Sequence, residues 1–180
     1  MLKLELPGSE CYNETDNEFL YIPGQTLMLE HSLLSVSKWE SKWHRSFLND
    51  GPKTWEETVD YIRCMTVNKN IDSNAYNLLR PEHVKKVTDY INEPMTATTV
   101  KNRRGQRLSK EIVTSEVIYY WMTANGIPFE CEKWHLNRLL MLIRVCSEKN
   151  GPGQKMSQRE NMQQMHALNA ARKAKMHTRG

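Results

Sequence analysis

Apolar and polar positions alternate at the start of the chain. Leu2, Leu4 and Leu6 are interleaved with Lys3 and Glu5, a period of two that marks a half-buried strand, and Pro7-Gly8 ends it. After a polar turn over Asn13–Asn17, Glu18–Ile22 reads as a second strand, closed by Pro23-Gly24, and Thr26–Glu30 as a third. The pattern predicts a three-stranded antiparallel meander over residues 1–31. A sheet of that size is marginal alone and needs helices to pack on.

From residue 32 the period lengthens to that of helices. Ser32 or Ser35 caps a helix bearing Leu33, Val36, Trp39, Trp43 and Phe47 on one face, and Asp50-Gly-Pro52 breaks it. Thr54 with Glu57 three residues on is a capping box, opening a helix with Trp55, Val59, Ile62 and Met65. A short helical turn follows from Asp72 or Ser73 to Leu79. Pro81 stands in the first turn of the next helix, whose face is Val84, Val87 and Ile91 and whose end is Pro94. Residues 95–108 lack periodicity. Ser109 then caps a helix from Lys110 to Asn125, stopped by Gly126, and another runs from Phe129 to Lys149 with Leu136, Leu139, Leu140, Ile143 and Cys146 in its stripe. These two helices are expected to form an antiparallel pair at the heart of a bundle. Asn150-Gly-Pro-Gly153 is a boundary, and Ser157 with Glu160 opens a C-terminal helix with a thin apolar stripe. The predicted fold is α+β and mainly α. The meander (1–31) packs on a helical bundle (32–150) as one globular domain, and a basic arm (151–180) follows.

Charge changes this picture by its placement. The chain of 180 residues has a net charge of +4, yet residues 1–99 hold ten basic residues against fifteen acidic. The positive charge sits in two segments. One is Lys101, Arg103, Arg104, Arg107 and Lys110, with no acid among them; the other, 151–180, includes Arg172, Lys173 and Lys175. A mildly acidic body with two basic segments does not suit a DNA-binding domain, and nucleic acid is disfavoured as a partner. No run approaches the length of a membrane-spanning helix, and the start lacks a signal-peptide core. Cys11, Cys64, Cys131 and Cys146 are widely spaced and are expected to be reduced thiols in a cytoplasmic setting.

The candidate chemistry is thin. Cys131, Glu132 and His135 would share a helix face with metal-ligand character, but no second ligand pair accompanies them. Cys131 with His135, or Cys64, lacks the remaining parts of a nucleophilic triad. Glu56, Glu57 and Asp60 fit first-turn charges that complement a helix dipole. No nucleotide-binding or hydrolase motif is present. The sequence therefore predicts no enzyme, cofactor or metal. Aromatic placement is more informative. Trp39 and Trp43 lie one turn apart, and Tyr119, Tyr120 and Trp121 are consecutive, so one core cannot take all three. Either that helix is surrounded by protein, its rings buried in the core, or part of it is a contact surface; with Trp134, these aromatics are the candidate protein-contact residues. Lys101, Arg103, Arg104, Arg107, Arg172, Lys173 and Lys175 are candidate docking charges for a protein partner or for another copy of the chain.

The stretch Ile22-Pro-Gly-Gln-Thr-Leu-Met-Leu-Glu-His-Ser-Leu-Leu-Ser-Val-Ser-Lys-Trp-Glu-Ser-Lys-Trp43 resembles proteins encoded in the tail-gene region of long-tailed bacteriophages. So do Glu116-Val-Ile-Tyr-Tyr-Trp-Met122, Ile127-Pro-Phe-Glu-Cys131, Lys133-Trp-His-Leu-Asn-Arg-Leu-Leu140, Leu168-Asn-Ala-Ala-Arg172 and Thr178-Arg-Gly180. Within that group the chain resembles the tail assembly chaperones, which bind tape-measure protein. The resemblance implies a non-enzymatic binding protein of the host cytoplasm, with tape-measure protein or another phage structural protein as its partner. An oligomerising head–tail or tail component of the virion is the alternative, and a nucleic-acid-binding accessory protein a more distant one. Ten methionines and an aromatic-rich helix would give a chaperone an adaptable apolar surface.

Overall fold

The alternating leucines at the N-terminus make a strand because their period brings all of them to one face. In the computed structural model, which describes residues 1–13, 17–98, 112–150 and 162, β1 (Leu2–Leu6) pairs antiparallel with β4 (Gln25–Leu29), with Leu2 opposite Leu29 and Leu4 opposite Leu27. Leu4, Leu6, Leu27 and Leu29 are buried on that face. Between them β2 (Ser9–Asn13) and β3 (Glu18–Ile22) pair with each other, Ser9 opposite Ile22 and Asn13 opposite Glu18. The expected three-strand meander is thus corrected to two nested strand pairs, β1 with β4 and β2 with β3. Ser9–Asn13 escapes a sequence reading because its side chains carry no clean alternation.

The two pairs meet where Pro7-Gly8 faces Pro23-Gly24. A Cβ on Gly8 would lie 2.8 Å from the Gly24 nitrogen, and one on Gly24 2.9 Å from the Gly8 nitrogen. Backbone runs against backbone, a distance only glycine allows. The β1/β4 pair is also closed along the free edge of β4. The Val67 amide donates to the Met28 carbonyl (2.8 Å), the Glu30 amide to the Met65 carbonyl (2.9 Å), and the Asn68 side chain bonds both Met28 and Thr26.

The helices follow their caps. α1 (Leu33–Trp43) begins with a reciprocal Ser32–Ser35 capping box and ends at His44, in the left-handed region at φ 53°. Phe47, expected on this helix, lies past its end but is still buried. α2 (Trp55–Met65) has the expected Thr54–Glu57 box. Asp72 caps a 3-10 turn over Ser73–Leu78, and α3 (Pro81–Asn92) starts on Pro81. α4 spans Ser115–Ala124, with Gly126 at φ 64° after it. Its expected start at Lys110 is not met: Ile112–Thr114 are non-helical. They are drawn out instead, the Val113 amide donating to the Asn49 side chain and the Ser46 hydroxyl to the Val113 carbonyl.

The expected helix from Phe129 to Lys149 is two pieces, a 3-10 turn over Phe129–Lys133 and α5 (Leu136–Asn150). Trp134 and His135 between them are extended, because the segment bridges to Ser32 and the Leu136 amide donates to the His31 carbonyl at 2.7 Å. The antiparallel pair expected of α4 and α5 is replaced by packing around α1. That helix meets α2, α4 and the 3-10 turn, while α3 lies on β1. The protein is α+β and mainly helical, with a small antiparallel sheet at its N-terminus. The chain divides into a compact unit, Met1–Cys146, and a second, Ser147–Gly180. Of the basic C-terminal segment only Met162 is described, and it is helical.

Candidate functional site

Two buried polar clusters hold the first unit together. In one, Glu40 of α1 accepts from the Phe47 amide with Oε1 (2.8 Å) and from the Ser115 amide with Oε2 (2.7 Å). It fixes the loop after α1 and supplies an acceptor to the first turn of α4, whose own cap residue Thr114 makes no side-chain cap bond. In the other, His31 Nδ1 lies 2.5 Å from the Tyr61 hydroxyl, which also meets Ser35, and His135 Nε2 lies 3.1 Å from the Tyr90 carbonyl. The two imidazoles stand edge to face, 5.1 Å between centroids. Burial, with the neighbouring His135, pulls His31 down from 6.5 to about 3, and burial pushes the Tyr61 hydroxyl up. A histidine so depressed is a poor base at neutral pH. This cluster joins β4's exit to α5's start.

The structure separates the cysteine–histidine group that spacing brought together. Cys131 is in the 3-10 turn, whereas His135 sits in the extended break and turns to Tyr90 and His31. Among the described residues no three His, Cys, Asp or Glu side chains converge as a metal site. The Cys64 thiol is pushed up by burial and by the Asp60 carboxylate, the reverse of nucleophile activation. Of the acids read as first-turn charges, Glu56 and Glu57 stand in the first turn of α2 and Asp60 beyond it; Glu57 and Asp60 are also buried ion-pair partners, Arg45 reaching Glu57 at 2.6 Å and Lys42 reaching Asp60 at 2.5 Å. An open pocket of about 300 Å³ is lined by Glu30, Tyr90, Lys133, Trp134 and Arg138, with the Arg138 guanidinium 4.4 Å from the Trp134 ring centroid. Glu30 there is already engaged, by the Tyr90 hydroxyl (2.7 Å) and the Met1 amine (3.2 Å).

The candidate contact aromatics divide by burial. Trp39 is fully buried, its indole donating to the Glu57 carbonyl at 3.0 Å, so it is a core anchor and not a contact residue. Trp43 is half-buried, its indole N–H on Asp60 (3.0 Å). On α4, Tyr119 and Trp121 pack against the core, while Tyr120 stays 69% exposed. The Tyr119 hydroxyl donates to Glu132 (2.7 Å), and its ring lies 6.1 Å from Phe129, itself 58% exposed. Trp134 is half-buried under Arg138. The docking charges Lys101, Arg103, Arg104, Arg107, Arg172, Lys173 and Lys175 all lie outside the described residues.

Among the described residues, three exposed aromatics stand together where the sequence placed no contact site. Register places Tyr12 opposite Phe19 and Glu10 opposite Tyr21, and alternation sends all four to one face of the β2/β3 ribbon. Phe19 is 74% exposed, Tyr21 64% and Tyr12 50%, and the Tyr12 and Phe19 rings touch at 5.2 Å. Three such rings present roughly 300–400 Å² of apolar surface, the size at which a patch on a soluble protein is commonly functional. Among the described residues no backbone bond from another element reaches β2 or β3, in contrast to the closed edge of β1/β4. The signal in the sequence was Glu18-Phe-Leu-Tyr-Ile22, apolar on both faces, which a single core cannot satisfy. The ribbon is also one-signed. Residues 9–22 contain Glu10, Glu14, Asp16 and Glu18, and residues 4–37 contain no Lys or Arg. Comparison with known protein families, with curated proteins and with solved structures gives no match for this chain.

Proposed function

We propose that this protein is a non-enzymatic binding protein of bacteriophage tail assembly, acting in the host cytoplasm as a chaperone of tape-measure protein. The resemblance of the sequence to tail-region proteins motivates the family. The observation that carries a binding role is the β2/β3 ribbon, with Tyr12, Phe19 and Tyr21 exposed together on one face. Exposed Tyr and Phe clustered on a two-stranded ribbon add nothing to a core and suit a partner's apolar side chains. Tyr120 and Phe129 are further exposed aromatics on the first unit.

Co-expression with tape-measure protein tests the reading. The chaperone should keep that protein in the soluble fraction, and should be absent from purified particles analysed by mass spectrometry. Stoichiometric copies in particles would sink the chaperone role. They would favour the second reading, an oligomerising virion component, for which the open edges of β2 and β3 offer sites of pairing between copies.

A further inference from the structure

We propose that the β2/β3 ribbon is a docking face for a cationic, amphipathic segment of a partner polypeptide, rich in Lys and Arg on one side and in aliphatic residues on the other. This names the partner chemistry of the protein-binding site described above and rests on that reading. Three observations converge on it. The face is aromatic and exposed, with Tyr12, Phe19 and Tyr21 side by side. Glu10 stands on the same face, opposite Tyr21. The segment 9–22 has four acidic residues and no basic one, inside a stretch of the sequence, 4–37, that lacks Lys and Arg altogether.

Aromatic faces attract Lys and Arg through their quadrupole, and adjacent carboxylates strengthen the attraction while rejecting acidic chains. An uncharged apolar partner would gain nothing from the carboxylates, and an acidic one would be repelled. The charge pattern therefore discriminates among partners that the rings alone would accept. Tyr12, Phe19 and Tyr21 can be replaced without removing a core residue, since Ile22 is the ribbon's core member among the described residues.

The test uses the full chain and two synthetic amphipathic helical peptides of equal length, one of Leu with Lys and Arg, the other of Leu with Glu. Binding is read by fluorescence anisotropy. The Leu/Lys/Arg peptide should bind and the Leu/Glu peptide should not, with affinity falling about tenfold as salt rises from about 50 to about 300 mM. Tyr12→Ser with Phe19→Ser and Tyr21→Ser should weaken binding about tenfold or more while the thermal transition of the body is kept. Should that triple variant unfold, Glu10→Lys, on the same face as the rings, serves instead and should shift the preference toward the Leu/Glu peptide.

Equal binding of both peptides, no binding of the cationic one, or an unchanged preference in the charge-reversed variant overturns the proposal. So does sedimentation showing that the wild type self-associates through the ribbon and that the triple variant does not, since a second copy would then be the occupant. The chaperone reading fails separately. If tape-measure protein stays insoluble while the cationic peptide binds the ribbon, that reading falls and the present one stands. If tape-measure protein is kept soluble but the cationic peptide is not bound, the reverse holds.

Discussion

His31 shows how one side chain sets a pH limit on the whole unit. It is enclosed by Tyr61, Phe47 and His135 and held neutral down to about 3. The unfolded chain protonates the same residue near its ordinary 6.5. The stabilisation is therefore complete above that value and is lost as pH falls from there toward about 3. Between pH 6.5 and 5, before carboxylates titrate, urea unfolding should show a loss of about 2 kcal/mol, and His31→Gln should flatten that slope. An unchanged slope in the variant would assign the loss elsewhere. Glu40 is a second single point of dependence. Truncating it to Ala leaves the buried Phe47 and Ser115 amides without their acceptor and should cost about 2–4 kcal/mol, read as a lowered midpoint in denaturant. Neither role was legible in the sequence. Glu40 sits in an ordinary amphipathic helix, and its partner Ser115 is 75 residues away. Trp39 was legible as part of the apolar face of α1, open to burial or to a partner, and α2 packing over it decides for burial.

At the scale of elements, what could be read depended on how local the cause was. The Thr54–Glu57 box, Pro81 and Gly126 act within one turn of chain, and each stands where the sequence placed it. Thr54→Ala should accordingly lower stability by about 1 kcal/mol in thermal unfolding. The helix expected through Phe129–Lys149 failed for a non-local reason. Trp134 and His135 are claimed by a bridge to Ser32, whose pull on the backbone exceeds the helical preference of the sequence. The strand order failed likewise. Pro-Gly pairs at 7–8 and 23–24 look like two turns, yet they face each other as one junction between two strand pairs. Gly24→Ala pushes a methyl group against the Gly8 nitrogen and should destabilise by about 1–3 kcal/mol, while Gly51→Ala, with open space around its Cβ, should be near neutral. Equal midpoints for the two variants would refute the close approach.

For the molecule as a whole, the division after Cys146 bears on what the basic arm is needed for. Among the described residues, every buried core residue lies between Leu4 and Ile143. A chain ended at residue 150 should therefore keep its cooperative unfolding, with a midpoint within a few degrees of the full-length protein by calorimetry. A collapse of that transition would place part of the core's support in residues 151–180. The overall class, α+β with most of the chain helical, was readable because periodicity reports it segment by segment. The arrangement around α1 was not, since periodicity says which face is apolar but not which neighbour it meets.

The Pro-Gly junction has a consequence for how the protein can change over generations. Tyr12, Phe19 and Tyr21 are exposed rings outside the core, whereas Ile22 at the base of β3 is buried with the leucines. Selection can therefore rewrite the tip, residue by residue, while the body's stability stays untouched. The same separation makes the three ring positions exchangeable: new side chains at Tyr12, Phe19 and Tyr21, with Ile22 kept, should change partner preference without a new round of stabilisation.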